Sequence, residues 1–319
     1  MLPLAKQKVS KDKDNKKGMI SNLLYKLYWR LTINTWQIAF PDASIEDIAA
    51  GKPYSINIMK GAPADRWYAD PFVLDVTPTH IVILAEEYLY STSRGRIARL
   101  TIERSSFNLV QTDTVLDLDT HLSFPAIIRR GGKTYIYPEN SASGKLNVYE
   151  YDSATNRCTL LGSMSDCPLV DAILTEIDGK EYIFATQKER ANGDSTEVFA
   201  KNSNGLFEKV QTVSVGKNIG RNGGAFFCIG GKLLRPAQNC NGGYGRGLSI
   251  QQITKHGDRF EIKEERKIKS PRRFLDHGMH TLNGYKGVTV VDVSAYGHPA
   301  IGWLTDSIWK IFRLPTELK

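Results

Sequence analysis

Cysteine is scarce in this chain, and the little there is lies scattered. Cys158, Cys167, Cys228 and Cys240 are the four among 319 residues, and no C-x-x-C pair occurs. Free cytosolic thiols are therefore favoured over a disulfide framework or a zinc site. Long apolar runs are also missing. No stretch approaches the ~20 apolar residues of a spanning helix. The first residues carry charge over too long a span for a secretory signal, with no apolar core leading to a small-residue cleavage site. There is no H-E-x-x-H metal spacing, no G-x-S-x-G nucleophile elbow and no GxxxxGK[ST] phosphate loop. The glycine clusters RNGGAFF and NCNGGYGRG lack that pattern and read as turns. No metal and no cofactor is expected.

Charge is unevenly spread. Residues 1–30 hold eight basic and two acidic side chains, or +6 of the formal +8, which leaves +2 for everything else. A near-neutral body lacks the basic face that nucleic acid requires, so nucleic acid is excluded as a partner. Residues 1–32 read as a basic, partly disordered tail that becomes helical over 19–32. Leu23, Leu24, Leu27, Tyr28 and Leu31, interleaved with Lys26 and Arg30, suit peripheral contact with an anionic membrane surface, or packing on the rest of the chain. The expected location is cytoplasmic, at the inner face of a membrane.

What the chain does have is a phrase repeated five times. It begins at Ala69, Phe124, Asp171, Gly223 and His280, and each copy is an apolar run, a turn and a second apolar run. Aligning Pro71, Pro125, Ala172, Gly224 and Thr281 gives spacings of 54, 47, 52 and 57 residues. Periods of this size mark stacked supersecondary units. Each copy reads as a β-hairpin with two further strands before the next, and four strands make one propeller blade. The expectation is an all-β, five-bladed β-propeller over 33–319, with a short N-terminal helical or disordered extension. Turns at Gly131-Gly132, Asp178-Gly179 and Gly230-Gly231 have hairpin chemistry. Thr35 to Phe40 is the candidate closing strand, and Asp42 to Gly51 reads as a short helix opened by an acidic cap.

Propeller geometry brings the first strand of every blade to one central funnel. Asp70, Glu139 and Asp171 are the candidate catalytic carboxylates. Arg66, Glu87, His121, Arg221, Arg235, Gln238, Tyr244 and His280 are candidates for holding a carbohydrate or sugar phosphate. Paired carboxylates across a pocket suit chemistry at a glycosidic carbon, and guanidinium forks suit sugar or phosphate oxygens. Each has a plainer alternative. Asp70 before Pro71 is also a turn signal, Glu139 a loop cap, His121 and His280 partners of buried groups, Arg235 and Gln238 bridges between blades. Glu86 and Glu87 are adjacent on a strand and must face opposite ways, one toward the pocket and one toward solvent.

WYADPF, EEY, HLSFP with YIYPEN, RPAQNC with YG, and HTLN, in this order, resemble the propeller domain of the glucosamine inositolphosphorylceramide transferase family, over roughly residues 33–305. That domain is similar in turn to the five-bladed hydrolases of glycoside hydrolase family 43. The resemblance implies that Asp70 matches the hydrolases' general base. Their second-blade acid would fall near Ser123 or Phe124, and their third-blade acid around Asp171-Ala172, so a general acid would have to be Asp171 or Glu139. It further implies glycosyl transfer in bacterial cell-surface polysaccharide or glycolipid synthesis. Plant relatives join the propeller to a separate glycosyltransferase domain. A non-catalytic glycan-binding propeller and a hydrolase with a rearranged acid pair remain the alternatives.

Overall fold

A computed structural model of the chain describes residues 27–28, 31–32 and 34–311. The chain enters through β1 (Asn34–Pro41), a short helix α1 (Ile45–Ala49) and β2 (Ile56–Ile58). Blade one follows as β3 (Arg66–Val76), β4 (His80–Leu89), β5 (Arg94–Glu103) and β6 (Leu109–Leu116). Blade two is β7 (Ser123–Arg130), β8 (Lys133–Glu139), β9 (Leu146–Asp152) and β10 (Arg157–Ser165). Blade three is β11 (Leu169–Ile177), β12 (Lys180–Gln187), β13 (Ser195–Lys201) and β14 (Phe207–Ser214). Blade four is β15 (Phe227–Ile229), β16 (Lys232–Asn239), β17 (Gly247–His256) and β18 (Arg259–Ile268). Then come β19 (Leu282–Tyr285), β20 (Val288–Tyr296) and a helix α2 (Pro299–Ile311).

The strands form five four-stranded sheets, the five blades expected from the repeats. The fifth is composite: its order β19-β20-β1-β2 pairs the last strands of the ring with the first, which is the closing role expected of Thr35 to Phe40. Ring closure by hydrogen bonds leaves no splayed edge between the ends of the propeller. The hairpin turns behave as their sequences require. Asp178 and Gly179, at φ of 53° and 71°, both take the left-handed conformation of a type I′ turn. The cap of α1 differs from expectation. Ser44 Oγ, not Asp42, accepts from Asp47 N (3.1 Å), because Asp42 is engaged with the Ser55 backbone and hydroxyl.

The core lies between blades, where period-2 apolar residues of neighbouring sheets interleave. Ile38, Tyr68, Ile83, Ala98 and Val290 belong to one such cluster, which joins the closing sheet to blade one. Phe72, Phe124, Ile173 and Phe199 belong to another. The compact propeller unit is Trp36–Ser294, and the terminal segments Met1–Thr35 and Ala295–Lys319 form a second unit. After Tyr296 the alternation stops and apolar residues recur at helical spacing in α2. The helix expected over 19–32 lies outside the described residues, apart from helical pairs at 27–28 and 31–32. No helix among the described residues is long and apolar enough to cross a membrane.

Ile38 is fully buried on the closing strand. Ile38→Ala should cost about 2–5 kcal/mol. Chemical denaturation would read this as a lower midpoint with an unchanged slope.

Candidate active site

The residue that opens each repeat sits where the backbone bends. Asp70, Phe124 and Asp171 have φ of 50°, 46° and 46°, and the ladder slips one residue there, between Ala69 and Phe72, Ser123 and Ala126, and Val170 and Ile173. These are β-bulges, which re-aim a side chain beside the unpaired residue. Left-handed non-glycine residues cost of order 1–3 kcal/mol and gather at functional sites. Blade four reaches the same place with glycine. A Cβ on Gly223 would lie 2.5 Å from the His280 carbonyl oxygen, so only glycine fits.

Around the axis the repeat openings are tied to one another. Asp70 Oδ2 accepts from Phe124 N (3.2 Å), and its Oδ1 accepts from Thr281 Oγ1 (2.8 Å) with His280 Nε2 at 3.7 Å. Asp292 Oδ2 accepts from Asp70 N (3.0 Å) and lies 2.6 Å from His280 Nδ1, while its Oδ1 accepts from His280 N (2.9 Å) and Thr281 N (3.0 Å). The His280 ring stacks on Trp36 at 3.9 Å between centroids, and Tyr244 meets it edge-on at 5.5 Å. Burial raises the Asp70 carboxyl to about 6, with His280 opposing the shift. Burial also opposes charge on His280 and Asp292, yet their mutual attraction wins. His280 is held above, and Asp292 below, its ordinary value. Asp70, His280 and Asp292 each place a ligand atom within 4.8 Å of the others, so a cation fits the donor set by type, but the three are already satisfied by one another.

On the other side of the funnel, Arg221 Nε and Gln238 Nε2 (2.7 Å) donate to Asp171 Oδ2, and Arg221 Nη2 reaches Glu139 Oε2 at 3.4 Å. Burial and then the Asp171 carboxylate push Glu139 well above the usual range, against Arg221. Glu86 is raised well above it too, by burial first and then by Asp70 and Glu139. Its Oε1 has no hydrogen-bond partner, although His121 Nε2 stands 3.3 Å away. Gly95 N donates to His121 Nδ1 (3.0 Å), which leaves the ring proton on Nε2, the nitrogen facing Glu86. The cluster therefore combines a mutually attracted Asp292–His280 pair, a carboxyl raised to about 6 and two carboxyls pushed well above the usual range. Such divergence among neighbouring acids is what acid–base chemistry uses.

Residues 50–295 match the family described as glucosamine inositolphosphorylceramide transferase 1, N-terminal. The chain belongs to this family. It is 27% identical over 255 residues to glucosamine inositolphosphorylceramide transferase 1 of Oryza sativa subsp. japonica, covering 77% of this chain and 33% of that protein. The Arabidopsis thaliana protein of the same name is 27% identical over 201 residues, 60% of this chain and 26% of its own. The chain thus spans about a third of the length of these relatives. Among solved structures, CoXyl43, a GH43 β-xylosidase/α-arabinofuranosidase from a compost microbial metagenome in complex with xylotriose, superposes with a TM-score of 0.52 at 12% identity, covering 72% of this chain and 86% of that one. RS223 β-xylosidase does so at 0.51 and 12%, covering 73% and 93%. These likenesses establish the five-bladed fold.

In this transferase-family propeller, Asp70, Glu139, Asp171, Arg221, Gln238, Tyr244 and His280 converge on one cluster, with His121 at its rim. Three candidates lie elsewhere. Glu87 is completely buried between Arg66 Nη1 (2.7 Å) and Arg96 Nε (2.6 Å), with Tyr68 OH at 3.1 Å. It is Glu86 that takes the funnel side, and Glu87 is neutralised by arginines rather than by solvent. Arg66 is consumed in that same pair. Arg235 stands three residues from Gln238 on β16 and so faces the opposite way. It donates to Gly220 O (2.6 Å), and burial lowers it to about 9. Two surface cavities, of about 530 and 610 Å³, are lined by the turn ends of β7–β8 and β11–β12, and neither includes a residue of the cluster. Trp36, Thr281, Asp292 and Glu86 join the site beyond the candidate set; all but Trp36 stand at repeat ends, which was the available signal.

The Asp292–His280 pair gives stability a defined pH window. The depressed Asp292 contributes above the ordinary aspartate value of 3.8 and loses its contribution as pH falls. The raised His280 contributes fully below 6.5 and loses its share as pH rises through its folded value. Asp292→Asn should cost about 3 kcal/mol or more. Its melting temperature should fall furthest below wild type between those two values, as calorimetry across pH would show.

Proposed function

We propose that the propeller is a glycosyl-transferring enzyme that takes a sugar or sugar-phosphate donor in its central funnel, in the synthesis of a glycolipid or cell-surface polysaccharide. The observation that carries this reading is Asp70, raised to about 6, beside Glu86 and Glu139, which burial first and neighbouring carboxylates next push well above the usual range. Asp70 is then mostly ionised at neutral pH yet basic enough to take a proton from an acceptor hydroxyl. As that oxygen bonds to the sugar's anomeric carbon, the bond from that carbon to the leaving oxygen breaks. Glu139, raised well above the usual range, is the group assigned to the leaving oxygen, and a phosphate leaving group needs little protonation. Tyr244, 48% exposed, offers an aromatic face to the sugar ring.

The relatives' name joins a sugar to a phosphorylated ceramide, which supports a lipid-linked acceptor. Four unpaired cysteines support a cytoplasmic location. The oxygens of Asp171 are already taken up by Arg221 and Gln238, which argues for a positioning role and favours, as the second reading, a propeller that binds glycans without turning them over.

Nucleotide-sugar and phospho-sugar donors should be screened against lipid acceptors with wild type and Asp70→Asn. The expected result is a kcat loss of about 100-fold or more in the variant with melting unchanged. The wild-type rate should fall as pH drops through about 6, where Asp70 protonates. Equal turnover by the two proteins removes Asp70 from the chemistry. Sugar binding without turnover by wild type establishes the second reading.

A further inference from the structure

Helix α2 wears its apolar side outward. Ile301, Leu304, Ile308 and Ile311 recur at spacings of three and four and are 55%, 54%, 45% and 75% exposed. At 100° per residue they form a single stripe. The opposite face is the one tied down. Gly302 is buried, and a Cβ there would lie 2.6 Å from the Leu31 carbonyl oxygen and 2.5 Å from the Tyr296 side chain. Asp306, one turn on, accepts from Tyr28 OH at 3.2 Å. The apolar stripe is therefore fixed in its outward direction by the contacts behind it.

Charge decides what meets the stripe. Segments 1–35 and 295–319 hold eleven basic and four acidic residues, so +7 of the formal +8 resides there and +1 in the other 259 residues. A second copy docking on this face would bring two such units together against their repulsion. A surface of anionic lipid headgroups over acyl chains meets both requirements: it neutralises the basic segments and takes up the stripe. Trp303, 46% exposed in the same helix, suits the headgroup boundary.

We infer that helix α2 is a membrane-surface element that lies in the headgroup layer of an anionic bilayer, with the basic terminal segments as its electrostatic partner. This holds independently of the chemistry in the funnel, because binding is read without turnover.

Full-length protein would be sedimented with phosphatidylcholine vesicles, with and without phosphatidylserine. Partition onto the anionic vesicles should exceed that onto neutral ones by about tenfold or more and should fall with added salt. Leu304→Asp with Ile308→Asp should reduce it about tenfold with the propeller's melting unchanged, whereas Ile308→Phe should retain it. Removal of residues 1–18, six lysines against two aspartates, should weaken it as well. Wild type left in the supernatant, equal pelleting of the double-aspartate variant, or loss of binding by Ile308→Phe would overturn the inference. So would a dimer, seen by light scattering without vesicles, that the double variant converts to monomer.

Discussion

The centre of this molecule depends on one carboxylate. Asp292 collects hydrogen bonds from the backbone of Asp70, His280 and Thr281 and an ion pair from the His280 ring. Asp70 is 222 residues away in sequence, so the bond joins the first blade to the last. A buried carboxylate is tolerable only with its oxygens fully engaged. Here the groups that engage them are the repeat openings that ring closure brings together. Asn283 extends the same seam, donating to Pro71 O (2.8 Å) and accepting from Ala225 N (2.7 Å). Polar groups that an apolar core could not accommodate thus become the fasteners of the ring.

That arrangement has a consequence for the acids nearby. Asp292 and His280 form a pair held ionised by mutual attraction. Glu86 has His121 as its near neighbour, at 3.3 Å, and burial together with Arg221 holds that ring below its ordinary value. A neutral imidazole cannot stabilise a buried carboxylate as an imidazolium does, so burial prevails and Glu86 is raised well above its ordinary value. The cations of the funnel stand elsewhere, His280 on Asp292 and Arg221 on Asp171 and Glu139. Environment, rather than residue type, assigns the roles.

The architecture was legible in the sequence because its cause is repetitive. Five copies of one apolar alternation around a turn leave few alternatives to a propeller, and the apolar residues of TWQIAF had to pair somewhere. The convergence of Asp70, Asp171 and His280 was legible for the same reason, since equivalent positions in a ring must meet. What repetition cannot encode is sidedness. Alternation placed Glu86 and Glu87 on opposite faces but could not say which faced the axis. That depended on Arg96, the cross-strand neighbour of Glu87, and on Gly95, where any Cβ would lie 2.5 Å from Glu86 Oε1. Trp36 was invisible as a site residue because its role comes from stacking on a histidine 244 positions later. Helix α2 was missed because it follows the last repeat and owes nothing to the repeat's period.

The backbone ties these observations together. Asp70 and Asp171 carry carboxylates at left-handed bulges, and Phe124 occupies the equivalent bulge with an apolar ring packed edge-on against Phe72 at 5.0 Å. The bulge is therefore a property of the fold, not of the acid that sits on it. A blade that keeps the bulge can exchange an acid for a phenylalanine while its backbone N–H still serves the neighbour, as Phe124 N serves Asp70. The ring therefore stays fastened whichever side chain the second blade carries there. Glu86 and Glu139, both outside the repeat-opening position, take their raised values from burial and from the neighbouring carboxylates.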